Sequence, residues 1–250
     1  MKCFLNTNVN VYNKSNKNIF GRVKSVTPII ELISISYSVI YNDASHIFCG
    51  VNKDFDLKAA MNRWKPLRHN KPTGLIKDFY LRDGILKDVY RYFYGDKNFN
   101  DYKTMYKDLK RILPQMGIGY DEFYTVIKLS LIDVYYTGQK IQIFGYDCDY
   151  DWIVFKQIVG SNLDKYFVDD CIDLKKELIK VAMEMDITEL QQILKAQRVD
   201  YKNPTLKQRI DFLKVKYDYQ GIVQEHSLLH NAFFVEETYK FLRKIHNENL

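Results

Sequence analysis

Two hydrophobic periodicities follow one another along this chain, and their order restricts the folds open to it. From Glu31 to Val39 the residues alternate between apolar and small polar, the pattern of a half-buried strand. Lys2 to Leu5 reads as a short strand before it, and Ser45 to Val51 as a third strand after an Asn42-Asp43 turn. Between the first two lies Asn10 to Thr27, polar and rich in Asn and Lys, which reads as a loop or a loose hairpin. A three-stranded antiparallel meander is the economical reading.

After Asp56 the period changes. Asp56 to Trp64 suits a short helix, which Pro66 and Pro72 keep from continuing. Leu75, Ile76, Phe79 and Tyr80, then Leu86, Val89, Tyr90 and Phe93, are spaced as helical faces. Asn98 to Leu113 and Tyr120 to Ile132 are two more amphipathic helices, separated by Pro114 and Gly117-Ile118-Gly119. Lys140 to Gly145 is a fourth strand with a helix from Tyr150 to Val159, and Tyr166 to Ile172 a fifth. Asp173 is placed to cap the helix Leu174 to Met183. A helix opens at Asp186, Pro204 starts another in its first turn, and His226 to His246 closes the sequence. A meander followed by strands alternating with helices predicts an α/β fold with a mixed sheet.

Composition sets wider bounds. The 250 residues are enough for one sizeable domain, and 46% hydrophobic against 27% charged is a globular balance. No apolar run reaches the roughly 18 residues of a membrane helix, and the first residues turn polar too soon for a secretory signal, so no membrane association is expected. Cys3, Cys49, Cys148 and Cys171 form no Cys-x-x-Cys, which argues against structural zinc and for a reducing, cytoplasmic setting. The net charge of +6 is compatible with a polyanionic partner without requiring one. Twenty tyrosines and 15 phenylalanines, many beside cations, offer rings for base stacking, although core packing is the plainer use. The Asn, Lys, Tyr and Ile bias would suit a small AT-rich genome such as a viral one.

Several short segments in a fixed order carry a resemblance. They are Asn6-Thr7-Asn8, Ile30-Glu31-Leu32-Ile33-Ser34-Ile35, Asp149-Tyr150-Asp151-Trp152-Ile153-Val154, Asp173-Leu174-Lys175, and His226 with Asn231-Ala232 five residues on. Together they resemble the DEDDh 3′-to-5′ exonucleases, in the compact exoribonuclease branch related to ribonuclease T. The resemblance implies a ribonuclease H-like mixed β-sheet flanked by helices. The matched segments span residue 3 to about 242, which implies a single domain over 1–250 with helical insertions at about 74–138 and 184–222, and pairing into homodimers is common among such proteins.

In that family two Mg²⁺ ions, roughly 3.5–4 Å apart, clamp the scissile phosphate, and hard anionic oxygens hold them. A histidine acts as general base on the attacking water. Carried over by position, the base is His226 and the carboxylate that remains is Asp151. Asn6, Asn8 and Asn231 stand where the family has acids. An amide oxygen can ligate Mg²⁺ but brings no charge to neutralise it. Compensation from Asp147, Asp149 or Glu225 is conceivable, but Asp149 is awkwardly placed for it, and Glu31 accompanies the full acidic set in the family rather than replacing any of it. Asn in place of Glu, rather than Gln, argues for a natural change.

The reading that results is a pseudo-exonuclease holding single-stranded RNA or DNA, or a nucleotide, in the former active-site cleft. Asn6, Asn8, Asn231 and Trp152 would lie on the substrate side. Lys107, Lys110, Arg111, Lys207 and Arg209 would supply phosphate contacts. No cofactor is expected; Mg²⁺ or Mn²⁺ enters only if nuclease activity survives, with Asp151 as a weak ligand. One alternative is an active exoribonuclease with a rebuilt or one-metal site. Another is a protein-interaction module whose insertions bind a partner. Each residue also has a plainer structural reading: turn formers for Asn6 and Asn8, helix caps for Asp149 and Asp151, a helix-start residue for His226, packing for Trp152.

Overall fold

The computed structural model describes residues 1–17, 23–41, 44–63, 84–95, 102–130, 138–160, 163–219 and 228–248. The expected Asn42-Asp43 turn and the helical spacing from Leu75 to Tyr80 lie outside them. The described strands are β1 (Lys2–Lys17), β2 (Val23–Tyr41), β3 (Ala44–Val51), β4 (Ile141–Gly145) and β5 (Phe167–Asp173). The described helices are α1 (Leu57–Arg63), α2 (Gly84–Tyr94), α3 (Tyr102–Met116), α4 (Tyr120–Ser130), α5 (Asp149–Val159), α6 (Leu163–Tyr166), α7 (Leu174–Glu184), α8 (Thr188–Ala196), α9 (Leu206–Lys216) and α10 (Leu228–Glu248).

The strands form one mixed sheet in the order β3-β2-β1-β4-β5. β1 and β3 run antiparallel to β2, while β4 is parallel to β1 and to β5. The meander and the later strand–helix alternation thus meet at β1, the central strand. Of the two readings of the Asn- and Lys-rich segment after Val9, the hairpin is the one seen: Asn10 to Lys17 pairs antiparallel with Val23 to Glu31. Ladder hydrogen bonds satisfy the backbone of a polar hairpin arm as well as that of an apolar one.

Helices cover both faces. Cys3, Leu5, Ile35, Tyr37, Val39, Ile141 and Ile143 pack under α4 and α5. Phe4 and Phe144 point the other way, into a cluster with α7, α9 and α10. A third cluster joins Ile33 and Val51 to α1, α2 and α3. Because both faces are covered, β2 is not half-buried as its alternation suggests. Ser34, Ser36 and Ser38 are 1, 3 and 0% exposed. They are small enough for α10 to lie close, and Ser38 donates to Glu236 of α10 at 3.0 Å.

Helix ends follow their chemistry in most places. The Asp173 side chain accepts from the Lys175 N–H at 3.0 Å and caps α7 as expected. α9 starts later than Pro204 suggests: Thr205 is its N-cap in a reciprocal capping box with Gln208. Pro114 does not end α3, which runs on to Met116 with the proline in its last turn.

Candidate functional site

Open α/β sheets gather ligands in the crevice at the carboxyl ends of strands where the strand order reverses. Here that switch lies between β1, which leads out through the meander, and β4. The two strands pair only from Lys2 to Phe4 and from Gln142 to Phe144. Beyond Phe4, β1 leaves β4 and continues along β2 alone, which opens its edge at Asn6-Thr7-Asn8. Just past Asn8 the register with β2 shifts by a residue, leaving Ile33 bulged.

That open edge is closed by Asp151, from the first turn of α5. Its Oδ1 accepts the Thr7 backbone N–H at 3.1 Å and the Thr7 hydroxyl in a short hydrogen bond. The carboxyl stands in for the missing strand. It is buried, and burial pushes it up to about 7 against the two Thr7 bonds, which pull it down, while Asp147 and Asp173 raise it further. Asp151 is therefore no helix cap: Cys148 occupies the N-cap of α5, without a side-chain cap bond.

The β4–α5 turn is tight. Gly145 ends β4 where a Cβ would lie 2.3 Å from Cys148 Cβ. Asp147 takes a left-handed φ of 58°, which Asp tolerates better than most residues. Its N–H donates to Asp173 Oδ1 at 3.0 Å, and its carboxylate pairs with Lys175 at 2.7 Å. Asp149 points outward to Lys176 at 3.1 Å. Glu31 accepts the Asp56 N–H at 2.8 Å, ahead of α1. None of these three acids is turned toward Thr7 in the way Asp151 is.

The asparagines stand at the same end of the sheet. Asn8 Nδ2 donates to Ser34 Oγ at 2.9 Å, and Asn6 pairs in register with Ser36. Alternation puts both on the β1 face that Phe4 shares with α10. α10 runs opposite to β4: Tyr239 packs on Phe4 and Phe144, while Phe234 packs on Tyr146, beyond the end of β4. Asn231, half-buried three residues earlier, is about 4.5 Å further along the axis, toward the carboxyl ends of β1 and β4. His226 and Glu225 lie outside the described residues. Trp152 stacks on Phe155 with Lys156 over its ring, packed against the core of its sheet face.

Two residues carry weight that the sequence did not signal. Thr7 sits between two more conspicuous asparagines, yet it joins the motifs. Glu236, a buried acid, is held by Ser38 and by Lys240 at 2.8 Å; its helical phase matches no motif. Among the expected phosphate contacts, Lys107, Lys110, Arg111 and Lys207 are exposed. Arg209 is turned inward, donating to the carbonyls of Pro204, Ala182 and Met183.

The described part of this donor set brings one carboxylate, Asp151, to Thr7. Among the described residues no group of three or more His, Cys, Asp and Glu side chains is arranged to hold a metal ion. Asp151, the one carboxylate on Thr7, is only partly ionised near neutral pH and already spends one oxygen on two donors. No described helix is long and apolar enough to cross a membrane. Compared with family models and with curated proteins, the chain matches none.

Proposed function

We propose that this chain is a catalytically impaired exonuclease-like protein on a ribonuclease H-like sheet, one that binds single-stranded nucleic acid in the crevice at the carboxyl ends of β1 and β4. On this reading the helical segments at about 74–138 and 184–222 are insertions into a single domain. The observation that carries the reading is the Thr7–Asp151 contact. It joins the first and second motifs of the family resemblance at the switch point of the sheet, while the flanking positions hold amides. Asn6, Asn8 and Asn231, at that end of the sheet, repel a phosphate far less than a carboxylate cluster does, and they need no cation to accept one. Neutral amides offer N–H donors to phosphate oxygens and both donors and acceptors to base edges. Lys107, Lys110, Arg111 and Lys207, exposed on α3 and α9, supply sequence-independent attraction.

The test is filter binding of a short single-stranded RNA with EDTA present. Retention that weakens about tenfold or more between 50 and 200 mM salt is expected. A chain that retains no RNA at any salt would remove the proposal, and capture of a protein partner by the same RNA-free chain would favour the interaction-module reading instead.

A further inference from the structure

Gly145 has no side chain, and the space beside it is taken by sulfur. A Cβ there would come within 3.0 Å of Cys148 Sγ and 3.5 Å of Cys171 Sγ. Across that gap the two thiols meet at 3.2 Å, although they are 23 positions apart in sequence. Both are free thiols, and Cys148 is buried while Cys171 is partly exposed. Cys148 is also the N-cap of α5, the helix that carries Asp151, and Cys171 lies on β5 directly across from Ile143 of β4.

We propose that Cys148 and Cys171 form an oxidative modification site, a dithiol that closes to a reversible disulfide and pins the start of α5 to β5. The inference does not depend on nucleic-acid binding. A disulfide needs its sulfurs about 2.05 Å apart, so closure asks for an approach of roughly 1 Å, within reach of side-chain rotation. Cys148, at the N-cap of α5, is assigned as the attacking sulfur, and Cys171 across the 3.2 Å gap as the resolving one. Cys171 keeps its proton: the hydrogen bond with Cys148, and then burial, push its thiol far above the usual range.

The oxidant is a peroxide, small enough to enter past Cys171. The Cys148 thiolate attacks one peroxide oxygen, the oxygen–oxygen bond breaks, and a Cys148 sulfenic acid and a first water result. The Cys171 sulfur then attacks the Cys148 sulfur. A sulfur–sulfur bond forms, the sulfur–oxygen bond breaks, and a second water leaves. Two electrons pass from the sulfurs to the peroxide, and both thiol protons end in water. Cys3 and Cys49, whose thiols burial pushes up to about 12, are internal controls.

The experiment treats the reduced full chain with one equivalent of hydrogen peroxide. Thiol titration in denaturant and peptide mapping without reductant then follow. The chain should lose half of its four thiols, yield a Cys148–Cys171 linked peptide from the monomer, and regain the thiols with dithiothreitol. In Cys171→Ser the same treatment should leave a Cys148 sulfenic acid that dimedone traps. Retention of all the thiols, links through Cys3 or Cys49, links between molecules, or an unlabelled Cys148 in Cys171→Ser would each overturn the assignment.

Discussion

Asp151 is a carboxylate whose protein environment opposes its charge. Its ordinary value is 3.8 and in the folded chain it stands at about 7. The folded state therefore holds a proton that the unfolded state has released, between about pH 4 and pH 7. Stability falls as pH rises through that window and is level above it. A difference of this size corresponds to roughly 4 kcal/mol. Asp151→Asn keeps an oxygen for both Thr7 donors and has no charge to bury. Urea unfolding at pH 5 and pH 8 should show the wild type losing stability with rising pH, and the variant losing markedly less. Equal pH slopes would mean that Asp151 is ionised and solvated. Thr7→Val removes the hydroxyl donor and leaves the N–H. It should cost about 1–2 kcal/mol at pH 8, where the carboxylate most needs its donors, and less at pH 5.

At the scale of elements, the β4–α5 turn sets where Asp151 stands. Gly145, the left-handed Asp147 and the Asp173 side chain hold it in three different ways. Gly145→Ala drives a methyl into Cys148, and relief requires α5 to move off the end of β4. We expect a loss of about 2–4 kcal/mol by chemical denaturation, with faster hydrogen exchange at the Thr7 N–H. An unchanged midpoint would show that the turn has slack.

These elements also show what a sequence can and cannot disclose. The strand-to-helix step at Gly145 was legible because an apolar run met an acidic turn, and the Asp173 cap was legible because capping is a local bond. Tertiary facts hid the rest. A serine row reads as a solvent face until α10 is seen lying on it. The β1–β2 arm reads as either a loop or a loose hairpin, because its strand character comes from cross-strand bonds rather than apolar patterning. Thr7 carries no signal of its own, since its role depends on β1 having parted from β4.

For the whole molecule, the sheet brings residues more than 200 positions apart to one end: Asn6, Thr7 and Asn8 from β1, Asp151 from α5, and Asn231 from α10. The order of strands explains why they gather there, and on the proposed reading the amides leave two divalent ions little to bind. Both halves of that account meet in one assay, digestion of 5′-labelled single-stranded RNA with Mn²⁺, followed on a denaturing gel. It compares the wild type with a chain carrying Asn6→Asp, Asn8→Glu and Asn231→Asp. Intact RNA with the wild type and stepwise shortening from the 3′ end with the variant are the predicted results. Trimming by the wild type at a similar rate, or a folded variant that leaves the RNA whole, would contradict the account.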